Sequence, residues 1–244
     1  MCTVTYIPQP GNNYILTSNR DEQLSRNTTA DLVIKSTKEY DILFPQDPLS
    51  GGTWIATSNK NRTACLLNGA FDNHQHQPPY RKSRGIVTLD LFRYSQSKSF
   101  IDSYDLDGIE PFTLVIADQQ ALTVFRWDGV EKHYQDIDRQ KPHIWSSVTL
   151  YDEQMIKERD LWFEDWLQSA KVKNPENIME FHHFGGQKNA DYGYVMNRNN
   201  QVQTLSITSI IKEDRSATMV HKDLVNRSLS KKQIELYQQQ MESH

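Results

Sequence analysis

The pattern of apolar and polar positions at the N-terminus predicts a β-hairpin. Residues 2–7 alternate at a period of two, and residues 14–18 form a second strand-like run. The Pro, Gly and Asn residues between them, at 8–13, are typical of a turn. Because a turn between antiparallel strands brings the start of the first beside the end of the second, Cys2 is expected to meet the run Asn19-Arg20-Asp21-Glu22.

Further along the chain, the same patterns predict strands and helices in separate blocks. Strands are expected in hairpins at 53–68 and 112–134 and in a closing meander at 194–221. Helices are expected as a pair within 84–107, from Asp152 to Leu167, and after Asn174-Pro175 up to Gly185-Gly186. The hairpin at 53–68 is predicted to form the centre of a sheet.

The segment 25–50 has little periodicity apart from Leu32 to Ile34, which predicts a long loop with one short strand. It is expected to be a surface excursion, the alternative being a wall of the substrate pocket. No linker divides the chain, which predicts one domain over residues 1–224 followed by a weakly amphipathic helical tail over 225–244. Strands, then helices, then strands predict an α+β fold with two sheets and outer helices, and a generic α+β domain is also compatible.

Composition narrows the class of protein. The 244 residues are 37% hydrophobic and include 5 Trp, 11 Tyr and 9 Phe, which is enough for a folded core. A net charge of -4 without any basic block gives no support for nucleic-acid binding. Only Cys2 and Cys65 are present, which excludes a disulfide framework and favours a reducing compartment. Neither a signal peptide nor a membrane span is predicted, so a cytoplasmic location is expected.

Cys2 carries the most specific chemistry in the sequence. Removal of Met1 leaves one residue with both a thiol and an α-amine, whose ordinary pKa values are about 8.5 and about 8. The amine is then able to act as general base for its own thiol. The neighbouring Arg20 favours the thiolate, and Asp21 is able to hold the ammonium group. This combination predicts an N-terminal nucleophile.

Four histidines are candidate ligands for a metal or a haem. His74 and His76 lie in a polar loop, where a third ligand is missing, and His182 and His183 are consecutive on a predicted helix and diverge by about 100°. No metal site and no cofactor are therefore predicted.

Four motifs, in order, resemble the NRDE family, also called the transport and Golgi organisation family. They are Met1-Cys2, Asn19 to Glu22, Gly51 to Ile55 and Leu67 to Gly69. That family is similar to N-terminal-nucleophile hydrolases such as penicillin V acylase and bile salt hydrolase. The resemblance implies a four-layer αββα sandwich of two antiparallel sheets.

The resemblance also implies roles for individual residues. Cys2 is implied as the nucleophile, Arg20 and Asp21 as the groups that tune and orient it, and Asn68 as an oxyanion donor. Implied substrate-binding residues are Asn19, Trp54 and Ser147. In two places the sequence departs from those hydrolases: Ser147 stands where they use a second asparagine, and the strand Thr204 to Thr208, with Leu205, stands where they use a late arginine. Two missing groups predict weakened transition-state stabilisation.

Three hypotheses for function follow. The first is a hydrolase that cleaves a C–N amide bond of a small acyl-amide. The second, from the family's animal members, is a non-catalytic binding or trafficking protein for haem or a lipid-like ligand, with His74, His76, His182 and His183 as axial-ligand candidates. The third is a structural role, in which Arg20 and Asp21 form a buried ion pair.

Overall fold

The computed structural model of the chain describes residues 3–26, 31–119 and 121–237. The strands of this described part are, in chain order, β1 (Thr3–Gln9), β2 (Asn13–Glu22), β3 (Leu32–Ser36), β4 (Asp41–Pro45), β5 (Ile55–Ser58), β6 (Arg62–Asn68), β7 (Phe112–Ala117), β8 (Leu122–Trp127), β9 (Lys132–Ile137), β10 (His143–Ser146), β11 (Asn197–Arg198), β12 (Val202–Lys212), β13 (Ser216–Asp223) and β14 (Ser228–Glu235). Its α-helices are α1 (Arg84–Asp90), α2 (Ser97–Ser103), α3 (Glu153–Ser169) and α4 (Pro175–Phe184).

The first sheet has the order β10-β1-β2-β12-β13-β14, with β11 paired to β12, and each pairing is antiparallel. Strands β1 and β2 form the predicted hairpin, in which Thr3 pairs with Asn19 and Tyr6 with Leu16. The chain therefore enters the sheet beside the run Asn19 to Glu22, as predicted. Cys2, on which the predicted chemistry depends, precedes Thr3 and lies outside the described residues.

The second sheet follows the chain as a meander, with the order β3-β4-β5-β6-β7-β8-β9. All of its pairings are antiparallel. Strand β6 is the middle one of the seven. The prediction that the β5–β6 hairpin lies at the centre of a sheet is confirmed.

Burial of apolar side chains defines four layers. One buried cluster joins Tyr6, Leu16 and Met219 of the first sheet to Leu43 and Leu114 of the second. The next residues along β1 and β2, Ile7 and Ile15, point the other way because strand side chains alternate, and they pack with Phe163, Ile178 and Phe181 of α3 and α4. Helix α1 contacts β5 and β6. Each large apolar side chain buried in this way stabilises the fold by about 1.5–3 kcal/mol. The predicted αββα sandwich is confirmed.

The two longer helices begin at the residues that the sequence indicated. The Asp152 carboxylate accepts a hydrogen bond from the backbone N–H of Met155 at 2.8 Å and caps α3. The Asn174 side chain caps α4 in the same way, at 2.9 Å from Asn177 N, with Pro175 at the first position of the helix. These caps fix where α3 and α4 leave the first sheet.

The segment 25–50 contains more structure than predicted. Leu32 to Ile34 extends into β3, and β4 is a second strand whose residues Ile42, Leu43 and Phe44 are buried in the core. The prediction of a long loop was therefore wrong for residues 41–45. A run of three apolar residues is too short to show periodicity, and pairing with β3 and β5 makes it a strand.

The predicted C-terminal helix is wrong for residues 228–235, and its last part, 238–244, lies outside the described residues. Residues 228–235 form the edge strand β14, in which Ser228 pairs with Asp223 and Glu235 with Ser216. Lys231, Lys232 and Gln233 have high helix propensity, but the exposed edge of β13 supplies backbone partners that decide the structure. The domain therefore continues beyond residue 224.

Across the described residues, none of the helices combines the length and the apolar character needed to cross a membrane.

Candidate functional site

The end of β2 presents its side chains to two different layers. Arg20 points to the second sheet, where its guanidinium lies 4.7 Å from the centre of the Trp54 ring. The neighbouring Asn19 and Asp21 point to the helical layer and contact His182 and Tyr151 respectively. This opposition follows from the period of two in a strand. Adjacent residues of one motif therefore contact different layers of the structure.

Arg20 is held in place by three groups. Its side chain is 2% exposed, donates to Asp47 Oδ2 at 3.0 Å and to the backbone oxygen of Arg26 at 2.9 Å, and stacks on Trp54. Burial lowers the pKa of Arg20, although Glu22 and Asp47 oppose that effect. The ion-pair partner of Arg20 is thus Asp47, and the predicted Arg20–Asp21 pair is not formed.

Asp47 connects Arg20 to the Gly51-Gly52 motif. Its second carboxylate oxygen accepts hydrogen bonds from the backbone N–H groups of Leu49 and Ser50, at 2.9 and 3.0 Å, while Asp47 N donates to Gly52 O. Burial would raise the pKa of Asp47, but the Ser50 N–H and the Arg20 charge outweigh it and hold the pKa below its ordinary value. Asp47 is therefore a carboxylate at neutral pH.

The glycines of the second motif permit a close contact between backbones. Gly51 has a φ of 68°, and a Cβ at Gly52 would lie 2.5 Å from the carbonyl carbon of Gly85. At this contact the N–H of Thr53 donates to Gly85 O at 3.2 Å. The start of α1 is thereby drawn against Trp54.

These elements enclose a polar cavity of about 410 Å³, called here the motif cavity. Charged side chains that line it are Arg20, Glu22, Arg26, Asp47, Lys82, Arg84 and Glu110. Six of them form three ion pairs: Arg20 with Asp47, Arg84 Nη2 with Glu110 Oε2 at 3.1 Å, and Arg26 Nη1 with Glu22 Oε2 at 3.2 Å. Lys82 pairs with Asp90, which lies outside the lining. Trp54 and Asn68 line the same cavity, and the indole N–H of Trp54 has no hydrogen-bond partner among the described residues.

On the opposite face of β2, Asp21 lies in a set of neutral donors. The Tyr151 hydroxyl donates to Asp21 Oδ2 at 2.8 Å, and the Thr204 hydroxyl donates to Oδ1 at 2.5 Å. Strand β12 reaches Asp21 through an irregularity: Thr204 pairs with Asp21 and Ser206 with Arg20, so Leu205 is the extra residue of a bulge. Leu205 stands where similar hydrolases carry arginine, and it is buried.

The Asn19 side chain is buried in the core and hydrogen-bonded there. Its side-chain N–H groups donate to His182 O at 3.1 Å and to Tyr194 O at 2.6 Å, and its oxygen contacts His182 Nδ1. The residue is fully buried and does not line the motif cavity. Asn19 therefore joins β2 to α4, instead of facing a ligand as the resemblance implied.

Asn68 and Ser147 are brought together. The Ser147 hydroxyl donates to the backbone oxygen of Asn68 at 2.8 Å and lies 3.0 Å from the Thr149 hydroxyl. For the Asn68 side-chain amide, the described part of the chain provides no hydrogen-bond partner. Ser147 thus holds the strand end from which the Asn68 amide reaches the cavity, and a Cβ at Gly69 would lie 2.6 Å from Val148.

The histidines fall into two groups. His182 is fully buried, contacts the Thr5 hydroxyl through Nε2 at 2.7 Å, and has its pKa lowered to about 3 by burial. His74 Nε2 and His76 Nδ1 each lie 3.1 Å from Glu110 Oε1, whose other oxygen pairs with Arg84. Within the described ranges no cluster of three or more His, Cys, Asp or Glu suited to a metal ion is found.

Cys65 is buried in β6, and burial raises the pKa of its thiol to about 12. It is therefore a core residue and not a nucleophile at neutral pH.

Several residues of the site gave no signal in the sequence. Asp47, Arg84 and Glu110 come from three separate segments, and their pairing depends on the packing of both sheets. Tyr151 and Thr204 reach Asp21 from positions more than a hundred residues away. The chain offers no local spacing from which these contacts are predictable.

The fold of the chain is similar to that of several solved hydrolases. The two-sheet sandwich, with the NRDE run beside the first strand, has the fold of N-terminal-nucleophile hydrolases. Two variants of the conjugated bile acid hydrolase from Clostridium perfringens have a similar fold, each with a TM-score of 0.62 over 98% of this chain and 97% of theirs, at 9% and 10% identity. The Caenorhabditis elegans ortholog of N-acylethanolamine-hydrolyzing acid amidase gives a TM-score of 0.50 at 12% identity, covering 86% of this chain and 92% of its own.

The sequence also identifies the family of the chain. The profile of the transport and Golgi organisation 2 family matches residues 1–242, and the chain belongs to that family. No curated protein matches the chain in sequence.

Proposed function

We propose that the protein is an N-terminal-cysteine hydrolase that cleaves the C–N amide bond of a small acyl-amide in the motif cavity. The observation that supports this most directly is the pairing of Thr3 with Asn19, which brings the start of the chain to a strand end where a guanidinium and a carboxylate lie on opposite faces. Cys2 immediately precedes Thr3. The Arg20 guanidinium is held by Asp47, and the Asp21 carboxylate is held by Tyr151, so the two groups do not pair with each other.

In the proposed mechanism the Cys2 thiolate attacks the amide carbonyl, and the α-amine takes up the thiol proton. Arg20 favours the thiolate electrostatically, and Asp21 stabilises the ammonium group. Asn68 and a backbone N–H donate to the oxyanion. Collapse of the intermediate breaks the C–N bond, the α-ammonium returns its proton to the leaving amine, and water then hydrolyses the thioester.

The names of the structural neighbours fit this proposal. One is a hydrolase of conjugated bile acids, and the other is an amidase that hydrolyses N-acylethanolamines. The motif cavity of this chain is lined by ion pairs, such as Arg84–Glu110, and by the Asn68 side chain. A substrate with polar groups near the scissile bond fits such a lining better than a wholly apolar one.

The test is a substrate screen with matched variants. N-acyl amino acids, acyl-homoserine lactones, penicillin V and bile-salt conjugates are incubated with the wild-type protein after its intact mass has shown whether Met1 is removed. We expect turnover that Cys2→Ala abolishes and that Asn68→Ala lowers by about 10²-fold in kcat, because it deletes one oxyanion donor. Asn73→Ala, an exposed asparagine in the following loop, is the control and is expected to retain full activity.

Two outcomes contradict the proposal. One is a protein that keeps Met1 on most molecules, because no free α-amine then exists at Cys2. The other is turnover no higher than the Cys2→Ala background for every substrate, which would favour the non-catalytic binding role.

A further inference from the structure

A second and larger cavity lies behind the motif cavity, on the helical side of the first sheet. Its volume is about 870 Å³, within the range of small-molecule sites. It is bounded by the start of β12, the end of β13, the start of β14 and the loop that follows α4, and it is called here the distal cavity.

Apolar side chains form much of this cavity. Met196, Leu224, Val225 and Leu229 line it. Leu229 is 66% exposed and Val225 is 36% exposed, although both belong to the segment that closes the first sheet. Apolar area of this kind favours a ligand with an apolar body, at about 25 cal/mol for each Å² that the ligand removes from water.

The rim of the distal cavity is cationic. Lys222 and Arg227 line it, and neither forms an ion pair within the described part of the chain. The carboxylate in the lining, Asp223, is occupied by its own turn: it accepts from Val225 N at 2.8 Å, from Asn226 N at 2.9 Å and from Asn226 Nδ2 at 2.7 Å. The two cations are therefore available to an anionic group.

His183 adds a polar atom to the same lining. Its Nδ1 is buried and has no hydrogen-bond partner among the described residues. Burial and the nearby charge of Lys222 lower the pKa of His183, so that the ring is neutral at neutral pH. The ring of His183 therefore adds no charge to the cavity lining.

A single layer of side chains separates the distal cavity from Asp21. Thr204 lines the cavity, and its hydroxyl donates to Asp21 Oδ1 at 2.5 Å. Met196 also lines the cavity, and its sulfur lies 3.7 Å from the Tyr151 hydroxyl that donates to Asp21 Oδ2. Met196 N donates to Thr204 Oγ1 at 2.9 Å and joins the two. A molecule that displaces Met196 or Thr204 therefore changes the hydrogen bonds of Asp21.

We propose that the distal cavity is a second ligand site, which binds an amphipathic carboxylate through Lys222, Arg227 and its apolar wall, and that this ligand acts on Asp21 through Thr204 and Met196. The carboxylate head lies at the cationic rim, and the apolar body lies against Leu229 and Met196. The action on Asp21 rests on the function proposed above, whereas the binding itself does not.

The binding test uses decanoate as the probe, measured by calorimetry on the full-length protein. We expect saturable binding that is at least ten-fold weaker in the double variant Lys222→Gln/Arg227→Gln, since both head-group cations are lost. Lys231→Gln, an exposed lysine of β14 outside the cavity, is the matched control and is expected to bind as the wild type does. Decanol is expected to bind at least ten-fold more weakly than decanoate because it lacks the charge.

A second variant removes apolar contact without touching the core. Leu229→Asn alters a side chain that is mostly exposed, so folding should be retained, and decanoate binding is expected to weaken several-fold. Thermal melting of each variant confirms folding. No saturable decanoate binding, equal binding of decanoate and decanol, or wild-type affinity in the double variant would overturn the site.

The action on Asp21 is tested separately, through the rate at which a limiting thiol reagent alkylates Cys2. Saturating decanoate is expected to change that rate at least two-fold in the wild type and to leave it unchanged in the double variant. Binding without any change in alkylation would support the site and overturn its coupling to Asp21. Cys2-dependent turnover without decanoate binding would support the proposed function and overturn the second site.

Discussion

The two faces of β2 differ in how they hold their polar groups. On the cavity face, Arg20 is held by the charge of Asp47, and its neighbours Arg84 and Glu110 form a second ion pair at the cavity wall. On the helical face, Asn19 is held by the backbone oxygens of His182 and Tyr194. The cavity face thus uses ion pairs that line a cavity, whereas the helical face holds its polar side chains, Asn19 and Asp21, through hydrogen bonds with neutral, buried partners.

The difference follows from the cost of desolvation. A charge in the sealed layer would cost several kcal/mol unless it were paired, whereas a neutral amide needs only its hydrogen bonds. Asp21 and Arg159 are nevertheless buried in that layer, each with hydrogen-bond partners. Asp21 accepts from the Tyr151 and Thr204 hydroxyls, and Arg159 donates to the backbone oxygens of Tyr192 and Gly193 while Tyr151 stacks on it at 4.1 Å. We infer that the helical face contributes most of the stability and that the cavity face provides the charged groups of the site.

The largest effect is expected from Asn19→Ala. The substitution leaves two backbone oxygens and one imidazole nitrogen in the core without their partner, and each buried unsatisfied group costs about 1–3 kcal/mol. We expect the free energy of unfolding to fall by about 3 kcal/mol or more, measured by urea denaturation. The exposed Asn73→Ala should change it by less than about 0.5 kcal/mol. A loss as small as that of the control would show that the helical face is not the stabilising one.

A smaller effect is expected from the protonation of His182. The folded-state pKa of His182 is lowered to about 3 from 6.5, so the unfolded chain binds one more proton between those values. The stabilisation that the buried, neutral His182 contributes is fully present above pH 6.5 and is lost as the pH falls towards 3. We expect a loss of about 1.4 kcal/mol per pH unit, or nearly 3 kcal/mol between pH 6 and pH 4.

His221 contributes in the same direction, because burial lowers its pKa to about 4. His182→Gln should therefore reduce the slope of unfolding free energy against pH by one proton without abolishing it. His133→Gln is the control, since that ring is partly exposed and lies outside the core. An unchanged slope in His182→Gln would mean that the ring is not sealed in the folded protein.

Much of the fold was predictable because its signals are local. The β1–β2 hairpin needs only alternation and a turn, and the caps Asp152 and Asn174 mark their helices within four residues. Strand β14 was missed for the opposite reason: its lysines and glutamine favour a helix, and only the distant strand β13 makes it extended. Local propensity is overridden wherever a sheet edge needs a partner.

The candidate site divides in the same way. Arg20 and Asp21 were predicted from the motif, whereas Asp47, the ion-pair partner of Arg20, was not predicted because it comes from a segment that showed little periodicity. The structural alternative, an ion pair between Arg20 and Asp21, is not formed. Strand alternation alone makes an ion pair between adjacent residues unfavourable, since their side chains leave the sheet on opposite faces. Asn19 was assigned to ligand binding by resemblance, and its three contacts to α4 and Tyr194 depend on tertiary packing.

The smallest effect is expected from Ser147, which is buried and does not line the motif cavity, although the resemblance implied a substrate-binding role for it. Its hydroxyl donates to the backbone oxygen of Asn68, so it resembles the neutral contacts of the helical face more than the charged ones of the cavity. Ser147→Ala removes the hydrogen bond to Asn68 O and the contact with the Thr149 hydroxyl, and we expect a loss of about 1 kcal/mol in the free energy of unfolding. The next residue in the chain supplies a matched control: the Ser146 hydroxyl is buried without a partner among the described residues.

Ser146→Ala should therefore be neutral or stabilising, because it removes a buried polar group that makes no hydrogen bond there. The sign of the difference between the two serines is the informative result, since both substitutions delete the same atom from the same chain segment. A loss confined to Ser147→Ala places the contact with Asn68 among the groups that hold the strand end in position. Equal losses in the two variants, measured by urea denaturation, would mean that the hydrogen bonds of Ser147 contribute nothing to the free energy of unfolding.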